Sequence, residues 1–376
     1  MDFDEIIDRS GTSSVKWERY HGRDILPLWV ADMDFRSPPA VIDALRQRVD
    51  HGVFGYTLPP AELAEAVLAH LSQDFGWRVE PEWIVWLPGI VAGLNGACRA
   101  VGSDGDDVLI LTPVYPPFFS APRLSGRTTL AIPLAEDGNR WTLDLEAIER
   151  AVTPRTRLLL LCNPHNPVGR VYDRHELSRL AELCEKRRLT ICSDEIHAGL
   201  VLEPGRRHIP IASLSPETAS RTITLHAPSK TCNIAGLGCG FAVIPSPDLR
   251  QRFLQVTEGI VPYVNALGYT AALAAYRDCR DWHAQLIDYL RGNLALVEQS
   301  VQRMPALAMN HVEATYLAWI DCGKLGVKKP AAFFEDAGVG LSDGSSFGGE
   351  GFVRLNFGCP RTLLRQALER MEHALK

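Results

Sequence analysis

The residues of this sequence that could do chemistry stand at the ends of strand-like runs. Lys230 follows Ser229 beyond the apolar run 222–225 and precedes the small-residue stretch Ala235-Gly236-Leu237-Gly238-Cys239-Gly240. A surface lysine rarely has such neighbours, and glycines let a ligand approach the backbone closely. Asp194, Glu195 and His197 close the run 189–193, and Asn163-Pro164-His165-Asn166-Pro167-Val168-Gly169 follows the run 157–162. Tyr115 comes just after the run 107–112. Pro88-Gly89 follows 83–87 and leads into a helix near Ile90, where the amides of Ile90 and Val91 suit a phosphate. An amine, a carboxylate, a carboxamide, an aromatic ring and an anion cradle are thus offered together. Each also has a plainer reading: a turn at Pro88-Gly89, packing for Tyr115, a turn cap for Asn166, a helix-start pair for Asp194-Glu195, a solvated Lys230.

What makes the set informative is the order of elements that carries it. Strand-like runs at 83–87, 107–112, 157–162, 189–193, 222–225 and 240–244 alternate with helical patterns such as 62–75 and 174–186. This predicts an α/β fold, a mostly parallel sheet with helices on both faces. Open sheets of this kind bind ligands beyond the carboxyl ends of their strands, where five of these loops converge. After Pro262 the pattern changes to long helices at 265–276 and 281–302, strands at 316–320 and 352–357, and a closing helix at 360–375. This predicts a smaller α+β domain. The expected division is an N-terminal arm over 1–45 joining the small domain, a large domain over 46–270, and a C-terminal small domain over 271–376.

Bulk composition narrows the function class. The 376 residues carry a net charge of −6 and 22% charged residues, with no basic block beyond pairs such as Arg206-Arg207. Nucleic-acid binding through a charged footprint is not expected. No apolar run is long enough to span a bilayer, and the start, Met1-Asp2-Phe3-Asp4-Glu5, lacks the basic and apolar regions of a signal peptide. Nine scattered cysteines, without CxxC or metal-type spacing, read as reduced core thiols of a cytoplasmic protein and predict no metal site.

The motifs Asn163 to Gly169, Ser193-Asp194-Glu195-Ile196-His197 and Ser229-Lys230, with Asp194 and Lys230 36 positions apart, resemble the fold-type I enzymes of the class I/II aminotransferase superfamily. These use pyridoxal 5′-phosphate (PLP). A narrower resemblance, to the MalY/PatB-type C–S β-lyases, which are cystathionine β-lyase-like, rests on four further segments. They are the stretch Trp29 to Phe35, Phe54-Gly55-Tyr56, Ala227 to Thr231 followed by Asn233 to Gly236, and Glu313 to Trp319. His197 stands where many aminotransferases have tyrosine.

The resemblance implies roles position by position. Lys230 is the Schiff-base lysine and the acid/base at the substrate's Cα. Asp194 keeps the pyridine nitrogen protonated, Asn166 bonds the ring hydroxyl and helps hold the substrate, and Tyr115 stacks on the ring, with His197 beside it. Ile90, Val91 and Ser229 contact the phosphate. Tyr56 reaches the phosphate of a partner subunit, which implies a homodimer with shared active sites, and Arg354 clamps the substrate carboxylate. Tyr56 and Tyr115 join Lys230 as candidate catalytic residues. One departure stands out: many aminotransferases place a phosphate-binding arginine about eight positions after the lysine, and here that position is Gly238. The implied activity is β-elimination from a small amino-acid substrate, cystathionine or a cysteine S-conjugate, giving thiol, pyruvate and ammonia. The alternatives are an aminotransferase and a PLP-binding regulatory protein.

Overall fold

The computed structural model describes all 376 residues. Its centre is a seven-stranded sheet built from β1 (Ile84–Leu87), β2 (Asp107–Thr112), β3 (Thr128–Pro133), β4 (Thr156–Cys162), β5 (Thr190–Asp194), β6 (Thr222–His226) and β7 (Gly240–Val243). The spatial order is β1-β7-β6-β5-β4-β2-β3. Only β7 runs antiparallel to its neighbours. Strands buried on both faces need continuous apolar runs, and Leu158 to Leu161 supplies one, every residue of it buried. The run 128–133, Thr-Thr-Leu-Ala-Ile-Pro, gives no such signal, because β3 is a half-exposed edge strand.

Helices cover both faces, and their local sequences explain where they begin. Asp173 and Glu176 form a reciprocal capping box at the start of helix Arg174–Lys186. The helix Ile90–Ala100 packs closely against the sheet at Gly93 and against helix Pro247–Thr257 at Gly96, because neither residue has a side chain. A Cβ at Gly93 would come within 2.7 Å of Leu225, and one at Gly96 within 2.8 Å of Phe253. That close seat points the N-terminus of the helix at the crevice beyond the strand ends.

A second sheet of four strands, β8 (Ala308–Met309), β9 (Leu317–Asp321), β10 (Ser342–Asp343) and β11 (Phe352–Asn356), has the order β8-β9-β11-β10. Helices Arg280–Gln302 and Arg361–Ala374 pack with it in a core that includes Leu290, Leu317, Leu355 and Leu364. The N-terminal residues are less irregular than their sequence suggests. They hold a short helix, Val15–Glu18, and Leu26–Pro27 pairs in parallel with Val339–Gly340 of the second unit. Residue 45 lies inside helix Pro39–His51 and residue 270 inside helix Ala266–Asp278.

Residues 29–35 then pass between the two sheets without regular structure. Their carbonyls are taken one by one by side chains. Asn356 donates to Val30 and Asp32 at 2.6 and 2.7 Å, and Asn233 donates to Met33 and Phe35 at 2.9 and 2.8 Å. A buried loop must satisfy its backbone in this way.

Candidate active site

The carboxyl ends of β1, β2, β4, β5 and β6 bring together most of the residues singled out in the sequence. Asp194 is the last residue of β5, 4% exposed, and one carboxylate oxygen accepts from the Ile196 amide at 3.1 Å. Burial raises its pKa to about 7, against the opposing pull of that amide and of Lys230. Such a carboxyl is held ionised by a cation brought next to it.

Lys230 lies at the crevice, partly exposed, and its Nζ donates to the Ala31 carbonyl at 2.6 Å. Loss of hydration first, then repulsion by Arg354, lower its pKa to about 8, with Asp32 and Asp194 acting against them. A substantial neutral fraction near neutral pH makes it a usable nucleophile and base.

The loop after β4 folds back on the loop after β2. The Tyr115 amide donates to the Asn166 carbonyl at 3.1 Å, and His165 reaches the Pro113 carbonyl with Nε2 at 2.9 Å. Burial lowers the pKa of His165 to about 4, so the ring is neutral at physiological pH. Its Nε2–H then donates to Pro113, and its Nδ1 accepts from the Tyr172 hydroxyl at 3.0 Å. This pairing fixes Tyr115 and Asn166 as one wall.

Arg354 comes from β11, between Trp319 of β9 and Ser342 of β10. It is 4% exposed and donates to Asn166 Oδ1 and to the Trp29 carbonyl, each at 2.9 Å, over the ring of Phe347. No carboxylate of this chain pairs with it, and its buried Nε has no partner. Burial lowers its pKa to about 10. A desolvated guanidinium of this kind is costly until an anion meets it, and its free edge suits a carboxylate.

His197 is buried, with Nδ1 unpartnered, and burial followed by the charges of Lys230 and Arg354 keeps it well below the usual histidine range. It is therefore a neutral ring with a spare polar atom.

The residues present fit PLP. Asp194 supplies the carboxylate for a pyridinium nitrogen, Lys230 the amine, Tyr115 an aromatic face and His197 an unspent ring nitrogen. The helix at Ile90 has Gly89 as its N-cap and no side chain closing its first turn, which leaves amide donors for a phosphate. Ile90 is buried and Val91 exposed, and Ser229 sits beside Lys230. The backbone at Gly238 is left-handed. Its φ is +59°, and a Cβ there would stand 3.1 Å from the Pro88 carbonyl, in the loop that leads to the cradle.

Tyr56 is the exception. It stands fully exposed, with Phe54 and Leu58 also exposed, in a segment without regular structure. Three features escaped the sequence reading: the Ala31 carbonyl under Lys230, the Tyr316 hydroxyl on that same carbonyl at 2.9 Å, and Ser342, which donates to Trp29 at 2.6 Å. A backbone acceptor has no residue signature. Tyr316 does lie inside the Glu313 to Trp319 segment that carries the narrower resemblance.

Comparison with known proteins identifies the family. The family model for aminotransferase class I and II matches residues 23–371. Cystathionine beta-lyase PatB of Bacillus subtilis (strain 168) is 39% identical over 387 residues, covering 100% of each chain. The crystal structure of OvoB is 51% identical, covers 100% of this chain and 99% of its own, and superposes with a TM-score of 0.98. The PLP-bound C–S lyase from Staphylococcus hominis is 32% identical, with 100% and 98% covered and a TM-score of 0.94. With its strand-end site and near-complete match, this chain belongs to the aminotransferase class I and II family.

Proposed function

We propose that the protein is a PLP-dependent carbon–sulfur β-lyase acting on cystathionine or cysteine S-conjugates. The observation that carries this is Arg354, a buried guanidinium without a carboxylate partner, facing the same crevice as Lys230 and Asp194. The likeness to PatB and to the C–S lyase structure supports it. Lys230 would carry the cofactor, Asp194 would hold its ring nitrogen, and Asn166, Tyr115 and His197 would line the ring. Ile90, Val91 and Ser229 would hold the phosphate. When bound, the cofactor supplies an electron sink for the pair left at Cα.

The chain's own residues do the rest. Arg354 and Asn166 orient the substrate carboxylate. The neutral amine of Lys230 takes the Cα proton, and the sulfur leaves Cβ as a thiolate. A thiolate departs far more readily than an alkoxide, because its conjugate acid is much stronger.

We also propose a homodimer, supported by the exposed apolar segment of Val53, Phe54, Tyr56 and Leu58. An exposed cluster of this kind marks a contact surface. In that assembly Tyr56 would complete the partner's phosphate site. A cytoplasmic setting is supported by nine cysteines that are all free and buried. We read the two sheets as two domains, with cuts at element ends, since residues 45 and 270 both lie within helices.

The test of the activity is a substrate panel. S-substituted cysteines should release pyruvate rapidly, serine far more slowly. Amino transfer from the same panel to 2-oxoglutarate should be minor. Acceptor-dependent turnover without thiol release would replace this reading with an aminotransferase.

A further inference from the structure

The Ala31 carbonyl accepts two hydrogen bonds, from Lys230 Nζ at 2.6 Å and from the Tyr316 hydroxyl at 2.9 Å. Tyr316 is 1% exposed, its ring meets His197 edge-on at 6.1 Å, and its own carbonyl is fixed by the Phe357 amide at 2.9 Å. The hydroxyl therefore has a rigid base. Ala31 is fixed as well, because its neighbours Val30 and Asp32 are held by Asn356.

A carbonyl that already accepts from a hydroxyl offers less electron density to a second donor. An ammonium gains more from a carbonyl than a neutral amine does, so sharing the acceptor weakens the hold on the charged form. We propose that Tyr316 is a positioning residue for the reaction: by sharing Ala31 it keeps the Lys230 amine in place, neutral, with its lone pair available for the Cα proton. The charged and titratable groups facing this pair come from three elements. Asp32 lies on the N-terminal segment, Asp194 and His197 stand at the end of β5, and Arg354 on β11. Asp32 and Asp194 favour the ammonium, whereas Arg354 opposes it. Tyr316 adds to the opposing side without adding charge.

The proposal rests on Lys230 being the base at Cα. That step precedes any choice between elimination and amino transfer, so the tests separate. If the lyase reading fails, no thiol or pyruvate appears, yet exchange of the Cα proton remains measurable.

Exchange of the Cα proton of L-alanine in deuterated water, followed by proton NMR on the holoenzyme across pH, reads the step directly. Tyr316→Phe keeps the ring and removes the donor. Exchange at neutral pH should fall about tenfold, a modest part of what general base catalysis supplies. The acid limb of the profile should move to higher pH, with KM changed less than about threefold. Replacing Tyr316 by 3-fluorotyrosine, a stronger donor of nearly the same shape, should move the limb the other way. This second variant keeps the test intact if the first folds poorly. A readout free of turnover is the pH midpoint for acetic anhydride labelling of Lys230 in the cofactor-stripped full chain, mapped by mass spectrometry. It should rise in Tyr316→Phe. Unmoved midpoints, shifts in the same direction for both variants, or a loss confined to KM would each overturn the proposal.

Discussion

Arg354 shows how far a single side chain can carry a functional argument. It reaches the crevice from β11, spends its donors on Asn166, Trp29 and Ser342, and keeps a buried Nε unspent. Arg354→Ala should leave the cofactor bound, because Asp194, Lys230 and the amides at Ile90 and Val91 would hold it without a direct bond from Arg354. It should lower kcat/KM by about 2–4 kcal/mol, the usual cost of truncating one side of a buried charge pair. Steady-state kinetics with the cofactor spectrum recorded in parallel checks both halves. An unchanged kcat/KM would make Arg354 a structural residue. Lys230, Asp194 and Asn166 stood out in the sequence because each lies in a motif at or beyond a strand end, whereas Arg354, in the middle of β11, was implied only by the family resemblance. Tyr316 was harder to see, since its importance comes from a shared backbone acceptor contributed by residue 31.

At the scale of elements, the strands and helices around the crevice follow from apolar runs and caps. The boundaries of β2 and of helix Arg174–Lys186 were readable from the sequence to the residue. Edge strand β3 and the hairpin of Ala135–Asp137 with Arg140–Thr142 were not, because short half-exposed strands carry no burial pattern. The joint between the sheets was also hidden. Glu313, just before β9, accepts from Arg140, from Arg170 and from the Val171 amide, the last at 3.0 Å. Through Gly169, whose carbonyl accepts from both Glu313 and Ala314, it ties the Asn166 loop to the second sheet. Burial alone would raise the pKa of Glu313, but the Val171 amide and Arg170 more than offset this and lower it. Its stabilisation is therefore present above the ordinary glutamate range and is lost as pH falls through the lowered value. Glu313→Ala leaves Arg170, 1% exposed, with only Glu176 as a carboxylate partner. A loss of about 3–5 kcal/mol in denaturant unfolding is expected. A change under about 1 kcal/mol would mean that the ion pair contributes no net stability.

For the whole molecule, the exposed Tyr56 segment and the buried crevice belong to one account only if two chains share their sites. Tyr56→Phe and Lys230→Ala subunits, each weakly active alone, should regain activity when mixed, because a mixed dimer holds one intact site. Absence of recovery after proven subunit exchange would confine Tyr56 to its own chain. The fold, with helices on both faces of a nearly parallel sheet, was readable from the alternation of its elements. The exposure of the Tyr56 segment was not, because exposed apolar residues in a loop look the same in sequence as any loop. As proposed, this crevice breaks a carbon–sulfur bond. The most direct test is incubation of the holoenzyme with L-cystathionine and no keto acid. Thiol, pyruvate and ammonia should appear in equal amounts and continue over many turnovers. Turnover that stops after one equivalent per site and resumes only when 2-oxoglutarate is added would contradict it.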